Sequence, residues 1–223
     1  MDYLSREGSP ISAELWEKID NAVVSTAKKF LTGRRFISIY GPLGAGIQSI
    51  NVDNISELEE SEGSISVVKG RVYQQIPLIN QDFTLLWRDL EFSEQMGLPV
   101  DLSSASRAAS QCALKEDELI FLGNEELGYK GLLTEDGVIK LPISDWSEGE
   151  NPFKDISAGL ARFLENGIAG RKALVVSPKL FVDLQRIQPG TGITEYDRIS
   201  RILNGNIFQT PVLKGNKAVL VCA

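Results

Sequence analysis

The sequence predicts an α+β fold. Three observations carry the prediction: long stretches with apolar residues at three- and four-residue spacing, short apolar or weakly alternating runs between them, and no internal repeat. The 223 residues, 43% of them hydrophobic, suffice to bury one large core or two modest ones.

Taken in order, Ile11, Leu15, Ile19, Val23, Ala27 and Phe30/Leu31 recur at helical spacing between Ser12, an N-cap candidate, and Gly33, a candidate stop. They predict an amphipathic helix of about five turns. Phe36–Tyr40 reads as a short apolar strand. From Ile47 to about Pro77 the alternation is weak, as in Ser64–Val68 and Arg71–Tyr73, which fits a long two-stranded arm better than a packed domain. Phe83–Trp87 is apolar enough for a buried strand, and Asp89–Gly97 leads to a break at Pro99. The alanine- and serine-rich stretch from Asp101 to about Gly123 predicts a long central helix, with Ala105, Ala108, Ala109, Cys112, Leu119 and Ile120 on one side. Gly131–Thr134 and Gly137–Leu141 read as strand and turn, and Phe153, Ile156, Leu160 and Phe163/Leu164 as a helix before Gly167. The remainder alternates: strand Ala173–Val176, helix from Pro178 to about Ile187, loop Gln188–Ile193, helix from about Glu195 to Leu203, and strands near Ile207 and Ala218–Val221. Pro178 suits a first helical turn because its missing amide would be unpaired there. Lys217–Ala223 stops inside an apolar strand without a polar tail, so further residues are expected in the natural protein.

Composition narrows the function. The chain contains no histidine, which removes Ser-His and Cys-His nucleophiles and every His-containing metal site and leaves carboxylates, lysine or a bound cofactor for any catalysis. A formal charge of −7 disfavours a sequence-independent grip on nucleic acid. No run of about 18 apolar residues and no signal-peptide pattern occur, so no membrane partner and a soluble cytoplasmic protein are expected. Cys112 and Cys222 share no motif spacing and read as small buried hydrophobes, and the acidic run Glu57–Glu62 reads as a solvated loop. The glycines Gly41, Gly44 and Gly46 do not make a phosphate loop: Gly41 and Gly46 have Walker spacing, but Ile47 stands where the lysine belongs, and no helix follows. A backbone that turns sharply and packs closely explains them better.

A set of colinear stretches points further. Gly33-Arg34-Arg35-Phe36 with Tyr40-Gly41-Pro42-Leu43-Gly44, Ile76-Pro77-Leu78-Ile79, Phe83-Thr84 with Trp87-Arg88-Asp89, Asp101-Leu102-Ser103, Glu116–Phe121, Gly128–Leu133 and Val176-Ser177-Pro178 resemble, in order and over essentially the whole chain, the encapsulin shell proteins, a family that includes linocin-type bacteriocins. The resemblance implies the tailed-bacteriophage major capsid protein fold: an N-terminal helix and the start of the peripheral domain in 1–47, an extended E-loop arm in 48–76, a peripheral domain with a spine helix in 77–126, an apical domain in 127–215, and the start of the return to the peripheral domain in 216–223. Family members continue beyond the position of Ala223, which implies a truncated subunit here.

The function implied is self-assembly into an icosahedral cage, a cytoplasmic nanocompartment for iron storage or oxidative-stress defence. It would enclose a cargo enzyme bearing a C-terminal targeting peptide, such as a ferritin-like protein or a dye-decolourising peroxidase, with any iron held by the cargo. Ala27, Phe30, Leu31, Arg34 and Ser38 match one side of the cargo-peptide groove; ordinary core packing is the alternative for Phe30 and Leu31. Pro189, Gly190, Thr191, Gly192 and Ile193 fall where the family lines a fivefold pore, though alone they read as a plain connection between helices. Trp87 is the flavin candidate, with core or interface packing as its alternative. No catalytic residue, metal site or other cofactor of the shell itself is expected. Two other readings stand beside this one: a phage or prophage major capsid protein, and a bacteriocin or protease.

Overall fold

In the structure, a computed structural model describing residues 6–52, 58–61, 65–68 and 72–223, Ser12 begins the first helix as its spacing predicts. Its hydroxyl accepts the Leu15 N–H at 3.2 Å and caps α1 (Ala13–Phe30). The helix closes with the Leu31 N–H on the Ala27 carbonyl, and a 3₁₀ turn, Gly33–Arg35, follows directly. Gly33 is therefore not a left-handed stop. A Cβ there would lie 2.7 Å from Ile120 Cδ1, so the glycine lets the turn approach α3 (Ser103–Leu122), the helix on which α1 packs. The expected strand over Phe36–Tyr40 does not form. Its first amides bond back into the turn, Phe36 and Ile37 both to Gly33, and Phe36 is fixed by packing against the rings of Phe121 and Phe208.

The chain divides into two compact units, one comprising Ile39–Asn80 and the other the remainder. In the smaller unit β1 (Ser49–Asn51) pairs antiparallel with β4 (Tyr73–Gln75), and β2 (Leu58–Ser61) with β3 (Ile65–Val68). The weakly alternating region thus forms two separate two-stranded antiparallel ladders. The run Glu57–Glu62 and the residues Lys69 and Arg71 lie wholly or partly outside the described residues. Gly41 and Gly44 adopt φ of +134° and +95°, so the glycines of this region serve backbone turns.

In the larger unit, Phe83–Leu86 is irregular, exposed except for the half-buried Leu85, rather than a buried strand, and Trp87 opens α2 (Trp87–Met96), which ends at Gly97 in the left-handed region. The buried side of α3 is Ala105, Ala108, Ala109, Ala113, Asp117 and Phe121. Cys112, Leu119 and Ile120, expected on that side, are half-buried, and both cysteines are half-buried and free. After β5 (Gly123–Asn124) and β6 (Tyr129–Lys130), the stretch 131–137 is a turn instead of a strand. Thr134 Oγ1 accepts the Gly131 N–H and donates toward the Leu122 carbonyl, pinning it there. Residues 138–141 run outside the sheet, whose central strand is already paired on both edges.

That sheet has order β8-β7-β9: β7 (Lys172–Val176) pairs parallel with β8 (Ile207–Gln209) and antiparallel with β9 (Ala218–Cys222). The parallel crossover requires intervening helices, supplied by α5 (Pro178–Leu184), capped by Ser177, and α6 (Glu195–Ile202). β7 is buried on both faces, which explains its continuous apolar run. Leu174 and Val176 enter a core with Trp146, Leu180, Leu184 and Ile199, the first side of which is closed by α4 (Asn151–Glu165) through Ile156. Ala173 and Val175 enter a second core with Phe36, Phe121 and Leu213. One strand thus joins two cores, and the second ties the sheet to the end of α3.

Candidate functional site

The last turn of α1 and the following 3₁₀ turn bring Ala27, Phe30, Leu31 and Arg34 to one end of the helix. Ala27, Phe30 and Leu31 are half-buried, whereas Arg34 and Ser38 are exposed. Half-burial leaves each apolar side chain with a free surface as well as a packed one. Arg34 is already engaged: Nε and Nη2 donate to Glu116 Oε1 and Oε2 at 2.5 and 2.7 Å, a bidentate pair with α3. These bonds push the guanidinium further above its already high ordinary value, so it remains charged.

Beneath this pair is a residue that sequence reasoning missed. Asp117 is fully buried, and its carboxylate accepts the Thr32 N–H at 3.0 Å, the Gly33 N–H at 3.0 Å and the Thr210 hydroxyl at 3.3 Å. The Thr32 hydroxyl, itself in a buried residue, also reaches the Gln209 carbonyl at 3.3 Å. One carboxylate therefore fixes the junction of α1 and the 3₁₀ turn to α3 and to the end of β8, and the surface formed by Ala27, Phe30, Leu31 and Arg34 depends on it. A signal was present in the sequence: Ala105, Ala109, Ala113, Asp117 and Phe121 recur every four residues, the spacing of a single helix face.

The second candidate region, Pro189–Ile193, belongs to the sheet-bearing part of the same unit. Pro189, Gly190, Thr191 and Gly192 are exposed and Ile193 is half-buried. Gly190 and Gly192 have φ of +80° and +70°, a backbone that other residues adopt only with strain. A bridge between Ile187 and Thr194 closes the loop at its base, and the Gln188 N–H donates to the Ile193 carbonyl at 2.9 Å. Trp87, the third candidate, stands at the start of α2 and is 73% exposed, with the Arg88 guanidinium 5.8 Å from its ring centre. It is not a core residue. A ring this open can stack on a planar ligand but does not enclose one.

Among the described residues, no group of three or more Cys, Asp or Glu side chains is placed to hold a metal ion, and no helix is long and apolar enough to cross a membrane.

Comparison with known proteins places this geometry. A family model described as an encapsulating protein for peroxidase, of the linocin group, matches residues 1–223. The type 1 encapsulin shell protein of Myxococcus xanthus is 36% identical over 99% of this chain and 79% of its own length. A diheme-cytochrome–encapsulin shell fusion protein of Kuenenia stuttgartiensis is 39% identical over 95% of this chain, which spans 60% of that longer protein. A virus-like particle from Pyrococcus furiosus has the same fold, with a TM-score of 0.71 at 22% identity, covering 94% of this chain and 80% of its own. The sheet with its two cores, the α1–α3 pair and the small two-stranded unit are thus this chain's version of the α+β capsid-like fold, and the chain belongs to the encapsulin shell-protein family.

Proposed function

We propose that the chain is a structural subunit, not an enzyme, that assembles with copies of itself into an icosahedral compartment and encloses a cargo protein. The observation that carries the assembly is the apolar surface of the Ile39–Asn80 unit. Tyr40, Tyr73 and Leu78 are 81%, 59% and 88% exposed, and none of the described residues of this unit belongs to either hydrophobic core. Two-stranded ribbons are marginal alone, and contiguous exposed apolar surface marks interfaces. Neighbouring subunits of the same kind would supply the cover. Absence of histidine supports the structural reading, because it removes the commonest general base and leaves carboxylates, lysine or a bound cofactor for any chemistry in the shell.

Cargo capture is proposed for the end of α1. A short apolar tail laid across Ala27, Phe30 and Leu31 would gain about 25 cal/mol per Å² buried, and two or three anchored side chains multiplied over many subunits suffice for retention. Iron or peroxide chemistry is the favoured cargo class. Its support is that relatives include a ferritin-like–encapsulin shell fusion protein of Pyrococcus furiosus and that the family description names a peroxidase. The exposed 189–193 loop is proposed as an uncharged aperture rim, and the open Trp87 ring as a stacking surface for a flavin, which visible absorbance of the purified shell would reveal.

Negative-stain electron microscopy with light scattering tests the central claim. Closed particles are expected, and a persistent small monomer at high concentration would overturn it. Fusing the tail of a neighbouring-gene product to a fluorescent protein then tests capture, which is lost if the tail is deleted.

A further inference from the structure

The 189–193 loop is exposed, yet the residues at its base form a buried polar cluster that the proposed function does not use. Glu195, the first residue of α6, is fully buried, and Gln188, the last residue before the loop, is 7% exposed. The Gln188 carboxamide, oriented so that its nitrogen faces two acceptors, donates to Glu195 Oε1 at 3.0 Å and to the Gly149 carbonyl at 3.2 Å. Arg198 Nη1 donates to the same Oε1 at 3.2 Å and lies 3.4 Å from Glu150, with its guanidinium stacked 4.4 Å from the Phe153 ring centre. Arg186 donates from Nη2 to the carbonyls of Gly149 and Trp146 at 2.9 and 3.3 Å, and its own carbonyl accepts the Glu195 N–H at 3.2 Å. The side-chain bonds of Glu195 thus converge on one oxygen, while Oε2 and Arg186 Nε have no partner among the described residues. A single acceptor holds both arms of the cluster, the loop base through Gln188 and α6 through Arg198.

We propose that Glu195 is the positioning residue of the 189–193 loop: its buried carboxylate, held between Gln188 and Arg198, fixes the pose of a rim that is otherwise tied by its backbone and the Thr191 hydroxyl. Inside the loop, Thr191 bonds the Gln188 carbonyl through both its N–H and its hydroxyl, at 3.2 and 3.0 Å, so the orientation of Gln188 is passed directly to the loop tip. The two glycines at 190 and 192 give that tip little stiffness of its own. Removing the charge at Glu195 weakens both arms at once, because a neutral acceptor of the same size is a poorer partner for a half-buried guanidinium and a buried amide.

The experiment is hydrogen exchange on the purified full chain, comparing wild type with Glu195→Gln. Exchange over residues 186–194 is expected to rise about tenfold or more, the factor that loss of a charge-assisted hydrogen bond produces. The β7 amides should keep their protection. Gln188→Leu should give a similar local rise, and the double variant should add little to either single one, since both break the same contact. Asp197→Asn, which opens the α6 capping box without touching the cluster, should alter the Thr194 amide that Asp197 accepts and leave the amides of 186–193 as in wild type. Unchanged loop exchange in Glu195→Gln, additive behaviour in the double variant, or an equal rise across β7 would each overturn the positioning role. Should Glu195→Gln fail to fold, Gln188→Leu alone reads the cluster from the loop side, with the same deciding outcomes. The functional consequence rests on the aperture reading and is separable from it. In assembled particles, iodide quenching of an enclosed fluorophore should change rate in Glu195→Gln; a local rise in exchange with an unchanged quenching rate supports the positioning role and removes the aperture.

Discussion

Asp117 offers the sharpest test of how the α1 surface is built. Replacing it with alanine removes the acceptor for three donors, the N–H groups of Thr32 and Gly33 and the Thr210 hydroxyl, all in a fully buried setting. Each orphaned donor costs about 1–3 kcal/mol. Against this, deleting a buried charge also removes its desolvation cost, which is why some buried ionic groups can be replaced without loss. That relief does not win here, because two of the donors are backbone amides and cannot be substituted away with the carboxylate. The net loss expected for Asp117→Ala is about 3–5 kcal/mol, in the range for breaking a buried charged contact. In a chain of this size that lowers the melting temperature by about 6–20 °C. Thr210→Val, which removes only the longest of the three contacts, should cost about 0.5–1.5 kcal/mol. The assay is urea unfolding and calorimetry on the purified chain. An Asp117→Ala midpoint within about 0.5 kcal/mol of wild type would refute the reasoning, since that is the range of ordinary surface substitutions.

Four further predictions follow from local geometry. Gly33→Ala should cost about 1–3 kcal/mol of stability by overpacking, and Ile120→Val should rescue much of it, because the new methyl lies 2.7 Å from Ile120 Cδ1. Gly131→Ala should be worse and not rescuable, because its Cβ would sit 2.3 Å from the Gly123 backbone nitrogen; thermal melting of the three variants checks both statements. The Asp197 carboxyl is held below the ordinary carboxylate range by hydrogen bonds from the Thr194 side chain and backbone, so it binds a proton more weakly folded than unfolded. The stability it adds is present at neutral pH and is lost as pH falls through about 4 and below, and Asp197→Asn should flatten that part of an acid-unfolding curve. Arg34→Glu should reduce capture of a tail-bearing fluorescent cargo, with the Arg34→Glu, Glu116→Arg double variant restoring the ion pair but not capture. Stability should change by less than about 1 kcal/mol in the double variant, because the Arg34 side chain is 49% exposed.

How far the sequence could be read depended on whether a residue's partners lie within the chain and near it. β7 was legible as an apolar run because both of its faces are covered by this chain's own cores. The long helices were legible because their caps and seams are local. Phe83–Trp87 misled, and the reason is instructive: in α2 the inward seam is Leu90 and Ser93, while Trp87, Phe92 and Met96 face outward at 73%, 56% and 61% exposure. Phe83–Leu86 is apolar yet irregular, and in the helix that follows, apolar residues on more than one side leave no clean 3.6-residue period, so the run reads as a strand ending at Trp87. Such a pattern is the expected mark of a surface that meets another subunit, and it connects the failure of periodicity to the assembly proposed above.

Asp117 failed to be recognised for a different reason. It sits in the triplet Glu116-Asp117-Glu118, which looks like solvated charge, and its donors come from 84 to 93 residues away in the chain. The four-residue recurrence with Ala105, Ala109, Ala113 and Phe121 is what separates it from Glu118, whose carboxylate pairs with Lys115 at the surface. Glu116 shows the consequence for function. Arg34 draws notice in the sequence through the resemblance, as a polar contact beside the cargo-peptide groove, and the fold gives it a carboxylate partner one residue before the buried one. Consecutive positions on α3 thus carry the two tasks: Asp117 fixes the turn that presents Arg34, and Glu116 neutralises it. Any ligand reaching this end of α1 meets a paired guanidinium and carboxylate rather than a lone positive charge. A tail with both a donor and an acceptor beside its apolar residues would match that pair, whereas a purely acidic tail would have to displace Glu116 to gain from Arg34.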